Sequence, residues 1–481
     1  MPPDQPGASA AINLTYTQEL RPPYSPNGSQ PSKTAPFIIT HDPKTGEVFE
    51  FGPPEKNGTC PKLYTSTDHQ NTRNDRYAMR WAIDSLLPGS RQSKCHRWRV
   101  PKLDVEVKLS VEHERAFFAG CEVCGSVWGC PLCAPKITER RRVEVETAME
   151  TAKAQGLKVM LATFTIPHGI GSDVEVIRKQ IMQAWRRGTD SRAGKNMRKM
   201  IGLRGYIRVV EVTYGQNGWH PHFHVLLFLE TSLTPEVIRQ LWFPIWLDGC
   251  RKVGLDDPSL SAFHVDDGTR AAHYVTKWGM DSELTKGHLK QGKKSVNPWD
   301  LLRIFTFGPS DRRISPELQE VVDFLGIDKK RAAELWLDFF RAFKGTRQLY
   351  WSNGLRALLG LSAEKSDQEV AEEQLDPLAA VLAVLNAHWT DIITTRANAR
   401  ILNRAEDAPA HLPDLLDEIR LEAAQKRDER LRRKSKKQGK KLARIQAPRT
   451  DEERSEGDPE RSKRRGPTRR NETLKRQRGA L

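Results

Sequence analysis

The spacing of apolar and polar residues predicts a block of alternating strands and helices in the middle of the chain. Apolar residues recur with period two in the predicted strands and with helical period in the predicted helices. In chain order these are helix 138–157, strand 158–167, helix 174–188, strands 203–215 and 220–230, a helix from Pro235, strand 262–265 and helix 270–279. The two central strands flank a short turn, Gly215–Gly218, which is typical of an antiparallel hairpin.

The order β-α-β-β-α-β-α predicts the α+β class. It is typical of a ferredoxin-like (split βαβ) antiparallel sheet with helices on one side. Further along the chain, 329–345 and 366–405 have helical periodicity.

Three histidines stand at alternating positions in the stretch "GWHPHFHVLLFLE". Because side chains on a strand alternate between the two faces of a sheet, His220, His222 and His224 should share one face. Buried imidazole nitrogens need a metal ion, an acidic partner or water. The alternative interpretation is a polar sheet face exposed to solvent.

The paired strand carries Glu211, which hairpin pairing can bring to the face of His222 and His224. Two imidazoles and a carboxylate form a three-ligand site with open positions, suited to an ion that binds a phosphate oxygen. His220, nearer the turn, is a less certain ligand or a phosphate-binding group. Glu211 can equally be an ordinary surface residue of the strand.

The predicted helix "AAHYVTKWG" carries a candidate nucleophile. Tyr274 and Lys277 are three residues apart and so lie on one helix face, where the phenol can attack and the ammonium can neutralise developing charge. Taken alone, this pair is a weak signal, because tyrosine and lysine at this spacing are common on helices.

The stretch "CEVCGSVWGCPLC" has CxxC-x5-CxxC spacing. Cysteines in a cytosolic chain are more often metal ligands than disulfides, so Cys121, Cys124, Cys130 and Cys133 indicate structural Zn²⁺. The spacer is short for a four-ligand finger. The chain also has a segment "GHLKQGKK", but it lacks the hydroxyl residue and preceding strand of a phosphate-binding loop, so no ATPase activity is predicted.

Charge and composition define the two ends of the chain. The 481 residues carry a net charge of +16, and 426–481 hold 22 Lys and Arg against 9 Asp and Glu. This basic tail is expected to be disordered and to bind nucleic acid, or only to aid solubility. The segment 1–57 is rich in Pro, Ser and Asn, which predicts disorder and no signal peptide. No apolar run approaches a membrane span, so a cytoplasmic protein without membrane contact is expected.

In this order, "ATFTIP", "GWHPHFHVLLFLE" and "HYVTKW" resemble the three motifs of the HUH endonucleases, specifically plasmid rolling-circle replication initiators, over roughly residues 95–305. The resemblance implies that His222 and His224 bind a divalent cation, Mg²⁺ or Mn²⁺. It implies that Tyr274, with Lys277, attacks a phosphodiester and stays on the 5′ phosphate. The freed 3′-OH would then prime synthesis. A single motif tyrosine leaves the termination step unexplained.

The resemblance also bears on the zinc ligands, the partners and the domains. Related initiators have an additional upstream cysteine, which makes Cys95 an alternative to Cys121 as the fourth ligand. The implied partners are single- and double-stranded DNA at a plasmid origin, a host helicase and a polymerase. Other interpretations are a rolling-circle transposase and a non-catalytic zinc-containing DNA-binding regulator. The predicted division is 1–57 disordered, 90–137 zinc-binding module, 138–308 HUH endonuclease domain, 309–425 mainly helical, and 426–481 disordered basic tail.

Overall fold

The structure is a computed structural model. It describes residues 38–41, 48–51, 66–110, 114–230, 233–269, 271, 295–373, 376 and 378–446. The chain divides into two compact units, Met1–Thr65 and Ser66–Leu481.

The first unit contains an antiparallel pair of strands, β1 (Ile38–His41) and β2 (Val48–Phe51). The prediction that 1–57 is disordered is therefore wrong for these two segments. Both are rich in β-branched and aromatic residues, which favour strands, and the ladder between them pairs their backbone groups.

The second unit contains the remaining elements. Its strands are β3 (Glu106–Ser110), β4 (Arg115–Ala119), β5 (Lys158–Thr165), β6 (Leu203–Gly215), β7 (Gly218–Leu229), β8 (Phe263–Asp266), β9 (Ser295–Val296), β10 (Leu349–Trp351) and β11 (Ala380–Val384). Its α-helices, within the described residues, are α1 (Ser66–Leu86), α2 (Arg91–Lys94), α3 (Cys133–Ala154), α4 (Val174–Thr189), α5 (Arg192–Met200), α6 (Pro235–Arg251), α7 (Pro298–Phe307), α8 (Pro316–Leu325), α9 (Lys329–Phe343), α10 (Leu355–Leu358), α11 (Asp367–Glu372), α12 (Trp389–Thr395), α13 (Asn398–Asp407) and α14 (Leu412–Gln446). Within these ranges, no helix is long and apolar enough to cross a membrane.

The main sheet has the strand order β10-β6-β7-β5-β8, with β9 also paired to β6, and every pairing in it is antiparallel. The predicted α+β class is confirmed. The predicted hairpin is present too: β6 ends at Gly215, and β7 begins at Gly218, which adopts the left-handed φ of 83° that favours glycine. The predicted start of α6 is also observed, because the Thr234 side chain accepts from the backbone N–H of Val237.

Helices cover both faces of the main sheet, so the prediction of helices on one side is wrong. On one face, Phe164 of β5 packs edge-to-face against Trp185 of α4 and against Trp242 and Trp246 of α6. Complete burial of one such aromatic side chain stabilises the fold by about 1.5–3 kcal/mol. On the other face, Leu161 and its apolar neighbours pack with buried residues of α3.

A second sheet, in the order β11-β3-β4, has its own apolar core with α12, α13 and α14. The prediction that 366–405 is helical is therefore wrong at Ala380–Val384, where β11 pairs with β3. A short apolar run has no decisive periodicity, so the partner strand determines its structure. The region 309–425 also supplies β10 to the main sheet.

Two predicted boundaries fall inside helices. α3 begins at Cys133, so it continues across the expected division between 137 and 138. α14 extends to Gln446, so the prediction of a disordered tail is wrong for 426–446. Arg, Lys, Glu and Gln have good helix propensity, and the ion pair of Glu422 with Lys426 adds support at i,i+4. The rest of the predicted tail lies outside the described residues.

Candidate metal centres

The main sheet brings a carboxylate and two imidazoles together beside the hairpin. Glu211 of β6 stands directly opposite His222 of β7, and His224 follows two residues later on the same face. Strand β5 borders the group on the other side, with Thr163 opposite His224. Register and alternation therefore place the three candidate ligands, as the sequence predicted.

The three side chains are close enough to bind one ion. Oε2 of Glu211 lies 3.3 Å from Nε2 of His222 and 3.3 Å from Nε2 of His224. All the candidate ligand atoms lie within 4.8 Å of one another. Each side chain is partly exposed, so a ligand in solution can reach the group.

Electrostatics favour an anionic carboxylate at this position. Burial raises the pKa of Glu211, but the charges and hydrogen bonds of His224 and His222 outweigh it and hold that pKa well below its usual range. Thr163 orients one of the rings, because its hydroxyl Oγ1 lies 3.1 Å from Nδ1 of His224. This contact leaves Nε2 of His224 on the side of Glu211.

His220 lies next to this group but is not one of the three converging ligands. Its Nδ1 is 2.5 Å from Nε2 of His168, and the other ring nitrogen of His168 is 3.1 Å from the carbonyl oxygen of Asn217. Burial, together with the nearby His222 and His168, lowers the pKa of His220 to about 4. His168 was not among the predicted site residues, although its position directly after the strand motif "ATFTIP" is a signal in the sequence.

Four cysteines converge in the apolar core, three from one short stretch of the chain and one from a position about 30 residues earlier. They are Cys95, Cys124, Cys130 and Cys133, all buried. The Sγ atom of Cys133 lies 3.5 Å from that of Cys95 and 3.8 Å from that of Cys124, and the Sγ atoms of Cys130 and Cys95 are 3.6 Å apart. Four thiolates bound tetrahedrally to zinc at about 2.3 Å would stand roughly 3.8 Å apart. The observed spacing fits such a site.

Local structure holds these cysteines in place. Cys133 begins α3, and the backbone N–H of Ala134 donates to the carbonyl of Cys130. The carbonyl of Cys95 accepts from the buried Arg80 side chain. Hydrogen bonds from Cys124, Cys130 and Cys95 hold the pKa of the Cys133 thiol well below its usual value. This favours the thiolate, the form that binds metal, at Cys133, whereas hydrogen bonds among the cysteines and burial raise the pKa of Cys95 and of Cys130.

The structure distinguishes the two candidates for the fourth ligand. Cys95 belongs to the cluster, whereas Cys121 lies in the separate core of the second sheet. There Cys121 forms a β-bridge with Arg99, and burial raises the pKa of its thiol to about 12. Cys250 is also buried, in α6.

The predicted nucleophile Tyr274 and its partner Lys277 lie outside the described residues. The structure therefore gives no position for them relative to Glu211, His222 and His224.

The part of the chain that the structure describes is thus mixed α+β, and it contains two groups of potential metal ligands, one on a half-buried sheet face and one in the core. Residues 116–252 match the model of a protein family described as "Replication protein". This part of the chain is therefore similar to replication proteins, which agrees with the resemblance to plasmid replication initiators.

Two curated proteins were similar to this chain. One, named "Protein rep" and from Streptomyces lividans, is 26% identical, with 57% of this chain and 73% of that protein covered. The other is named "Neomycin resistance protein", from Streptomyces cyanogenus. It is 31% identical, over 22% of this chain and 30% of that protein. No solved structure matches the chain.

Proposed function

We propose that the chain initiates rolling-circle replication of a plasmid by nicking and joining one DNA strand at the origin, through a covalent 5′-phosphotyrosine intermediate. The observation that carries the proposal is the convergence of Glu211, His222 and His224 within 4.8 Å on one sheet face. The matched family and the "Protein rep" relative support the same assignment.

The topology supports an HUH nuclease core of the ferredoxin-like type. Strands β5, β6, β7 and β8 are adjacent in the order β6-β7-β5-β8, so β7 lies between two strands that are connected through α4 and α5. A strand inserted between the two strands of a βαβ unit defines the split βαβ arrangement. The candidate ligands are on β7 and its hairpin partner β6, on the face opposite α4 and α6.

A divalent ion, Mg²⁺ or Mn²⁺, held there would polarise the scissile phosphate by Lewis acidity. The ligands would be Glu211, His222 and His224, with Thr163 fixing the orientation of the His224 ring. One carboxylate and two imidazoles leave open positions for phosphate oxygen and water. The partial exposure of all three side chains gives DNA access to the site.

Tyr274 is the proposed nucleophile. Its phenolic oxygen forms a bond to phosphorus while the bond from phosphorus to the 3′ oxygen breaks, which leaves a 3′-OH end and a 5′-phosphotyrosine. A phenol has an ordinary pKa of about 10 and attacks poorly at neutral pH. Lys277, one helical turn away in the predicted helix, would assist by stabilising negative charge in the transition state. Rejoining would reverse the same step.

The cysteine cluster would hold a structural Zn²⁺. Its four ligands would be Cys95, Cys124, Cys130 and Cys133, which leave no open position for chemistry. The phosphodiester chemistry is thus assigned to the sheet face alone. A host helicase and a polymerase are the further partners that the proposed reaction requires, since no ATPase motif was found in the sequence.

The deciding experiment incubates the full-length protein with 5′- and 3′-labelled single-stranded origin DNA and Mn²⁺, followed by a denaturing gel. Wild-type protein should become linked to the 5′ end of the cut, and Tyr274→Phe should form no adduct. Lys277→Ala should cut slowly.

Three results would contradict the proposal in different ways. Cleavage by Tyr274→Phe with both ends free would indicate a hydrolytic metallonuclease that uses water. Sequence-specific binding without any cleavage by the wild-type protein would indicate a non-catalytic DNA-binding regulator. Joining between transposon ends in place of origin strands would favour a transposase.

A further inference from the structure

A half-exposed tryptophan lies on the surface just after the first cysteine of the core cluster. Trp98 is 50% exposed, although most tryptophans in this chain that the structure describes are buried. The ammonium Nζ of Lys94 lies over its ring, 4.4 Å from the centroid. Arg99 and Lys102, both exposed, follow within the same short segment. We call Lys94, Trp98, Arg99 and Lys102 the Trp98 surface.

The backbone that carries the Trp98 surface is fixed by hydrogen bonds. The N–H of Trp98 donates to the carbonyl of Lys94, and the carbonyl of Trp98 accepts from the N–H of Glu122. Val100 donates in turn to the carbonyl of Gly120, and Cys95 joins the same segment to the cysteine cluster. The exposed ring therefore stands on a rigid support, so little backbone entropy is lost when a ligand binds.

The segment 91–102 is strongly basic. It contains five Lys and Arg residues and no Asp or Glu. Arg97 forms an ion pair with Asp84, at 3.1 Å, and Arg91 donates to Gln368. Among the described residues, the cations of the Trp98 surface have no carboxylate within ion-pairing distance. An exposed aromatic ring beside unneutralised cations complements a partner with both flat rings and negative charges.

We propose that the Trp98 surface binds single-stranded DNA, with an unpaired base stacked on the indole of Trp98 and backbone phosphates near Lys94, Arg99 and Lys102. Stacking needs an accessible base face, which a single strand offers and an intact duplex does not. The cations add an attraction that is independent of sequence. This inference rests on the proposed function and extends it by adding a contact for the opened strand that involves none of the residues proposed to cut it.

The test measures binding of a short fluorescent oligo-dT by fluorescence anisotropy, using full-length protein in EDTA. Trp98→Ala should weaken binding by about 5- to 150-fold, the range expected for loss of one stacked base. Trp98→Phe should retain most of the affinity, because it keeps an aromatic face. Lys102→Ala should weaken binding modestly and reduce the slope of log K against log salt by about 0.7.

Phe324→Ala is the matched control, because Phe324 is an aromatic side chain with a similar exposure of 55%. It should bind oligo-dT as the wild type does. Zinc content and thermal unfolding of Trp98→Ala should also be unchanged, since half of the ring is already in water.

Wild-type affinity of Trp98→Ala for oligo-dT would overturn the proposal. An equal loss for oligo-dT and for duplex DNA would do so as well, since stacking on an unpaired base would then not be the contact. Oligo-dT binding in EDTA requires neither a metal ion nor Tyr274, so a failed nicking assay and a failed oligo-dT assay are separate results.

Discussion

The two groups of potential metal ligands differ in nearly every physical property. The cysteine cluster consists of four thiols, all buried, drawn from two separate segments of the chain. The Glu211, His222 and His224 group has one carboxylate and two imidazoles, all partly exposed and held on two adjacent strands. The first group joins parts of the chain that are distant in sequence, whereas the second lies on a sheet already fixed by its own hydrogen bonds.

This difference indicates what each ion would do. Four buried sulfur ligands complete a tetrahedron and exclude substrate, so an ion there contributes to folding. Three accessible oxygen and nitrogen ligands leave coordination positions open, so an ion there can act on a phosphate. Substitution in the first group should therefore reduce stability, and substitution in the second should reduce activity with the fold intact.

The largest effect is expected from Cys130→Ser. Metal analysis of the wild-type protein should find one zinc per chain, and this variant should lose it. Because zinc binding supplies folding free energy, on the order of 10 kcal/mol in small zinc domains, the yield of folded protein should fall sharply. The unfolding temperature of the variant measures the loss of stability. The assignment would be contradicted if removal of zinc from the wild-type protein left its unfolding temperature unchanged.

Next in size is the loss of nicking in His222→Ala and in His224→Ala. The cleavage rate with Mn²⁺ should fall by about a thousandfold, since Lewis-acid stabilisation contributes several kcal/mol to the transition state. Affinity for origin DNA and the unfolding temperature should remain nearly unchanged. His411→Ala, on an exposed histidine, is the control and should cut normally. Full activity of both variants would exclude the sheet site.

A smaller effect should follow from Thr163→Val, which keeps the side-chain volume but removes the hydroxyl beside His224. Loss of a group that orients a metal ligand typically reduces metal affinity or activity 10- to 100-fold. Calorimetric titration with Mn²⁺ measures this directly. Thr165→Val is the matched control, because the Thr165 hydroxyl donates to the carbonyl of Ala262 and contacts neither imidazole through a hydrogen bond. Equal Mn²⁺ affinity in the two variants would mean that the Thr163 contact has no role.

The smallest effect is expected from Cys121→Ser. This variant should keep its zinc, because Cys121 lies in the core of the second sheet and outside the cluster. It should lose only about 1–3 kcal/mol of stability, the cost of placing a hydroxyl in an apolar core. Cys95→Ser, measured beside it, should lose zinc. Reversed results for the two variants would restore Cys121 as the fourth ligand.

Sequence patterns predicted the structure correctly where that structure depends on residues close together in the chain. Strand alternation and the turn at Gly215–Gly218 predicted the hairpin and the shared face of Glu211, His222 and His224. The N-cap at Thr234 could likewise be predicted from the sequence, since capping involves only three or four consecutive residues.

Patterns failed where distant contacts decide the structure. β11 is a strand because β3 lies beside it, more than 250 residues earlier in the chain. The spacing of the cysteines alone favoured Cys121, and only the folded backbone brings Cys95 to the cluster in its place. His168 was missed because its contact with His220 joins a loop to a strand 52 residues later.

The end of α14 has a consequence for how this helix responds to its surroundings. Ala423 is buried, whereas 424–439 are exposed, and Arg430 and Lys434 are one of several like-charged pairs at i,i+4 in this exposed stretch. Each such pair destabilises a helix by a few tenths of a kcal/mol, and no core compensates for it. Added salt or a bound polyanion should therefore increase the helix content of this segment, so that circular dichroism would register charge neutralisation as a gain of helix.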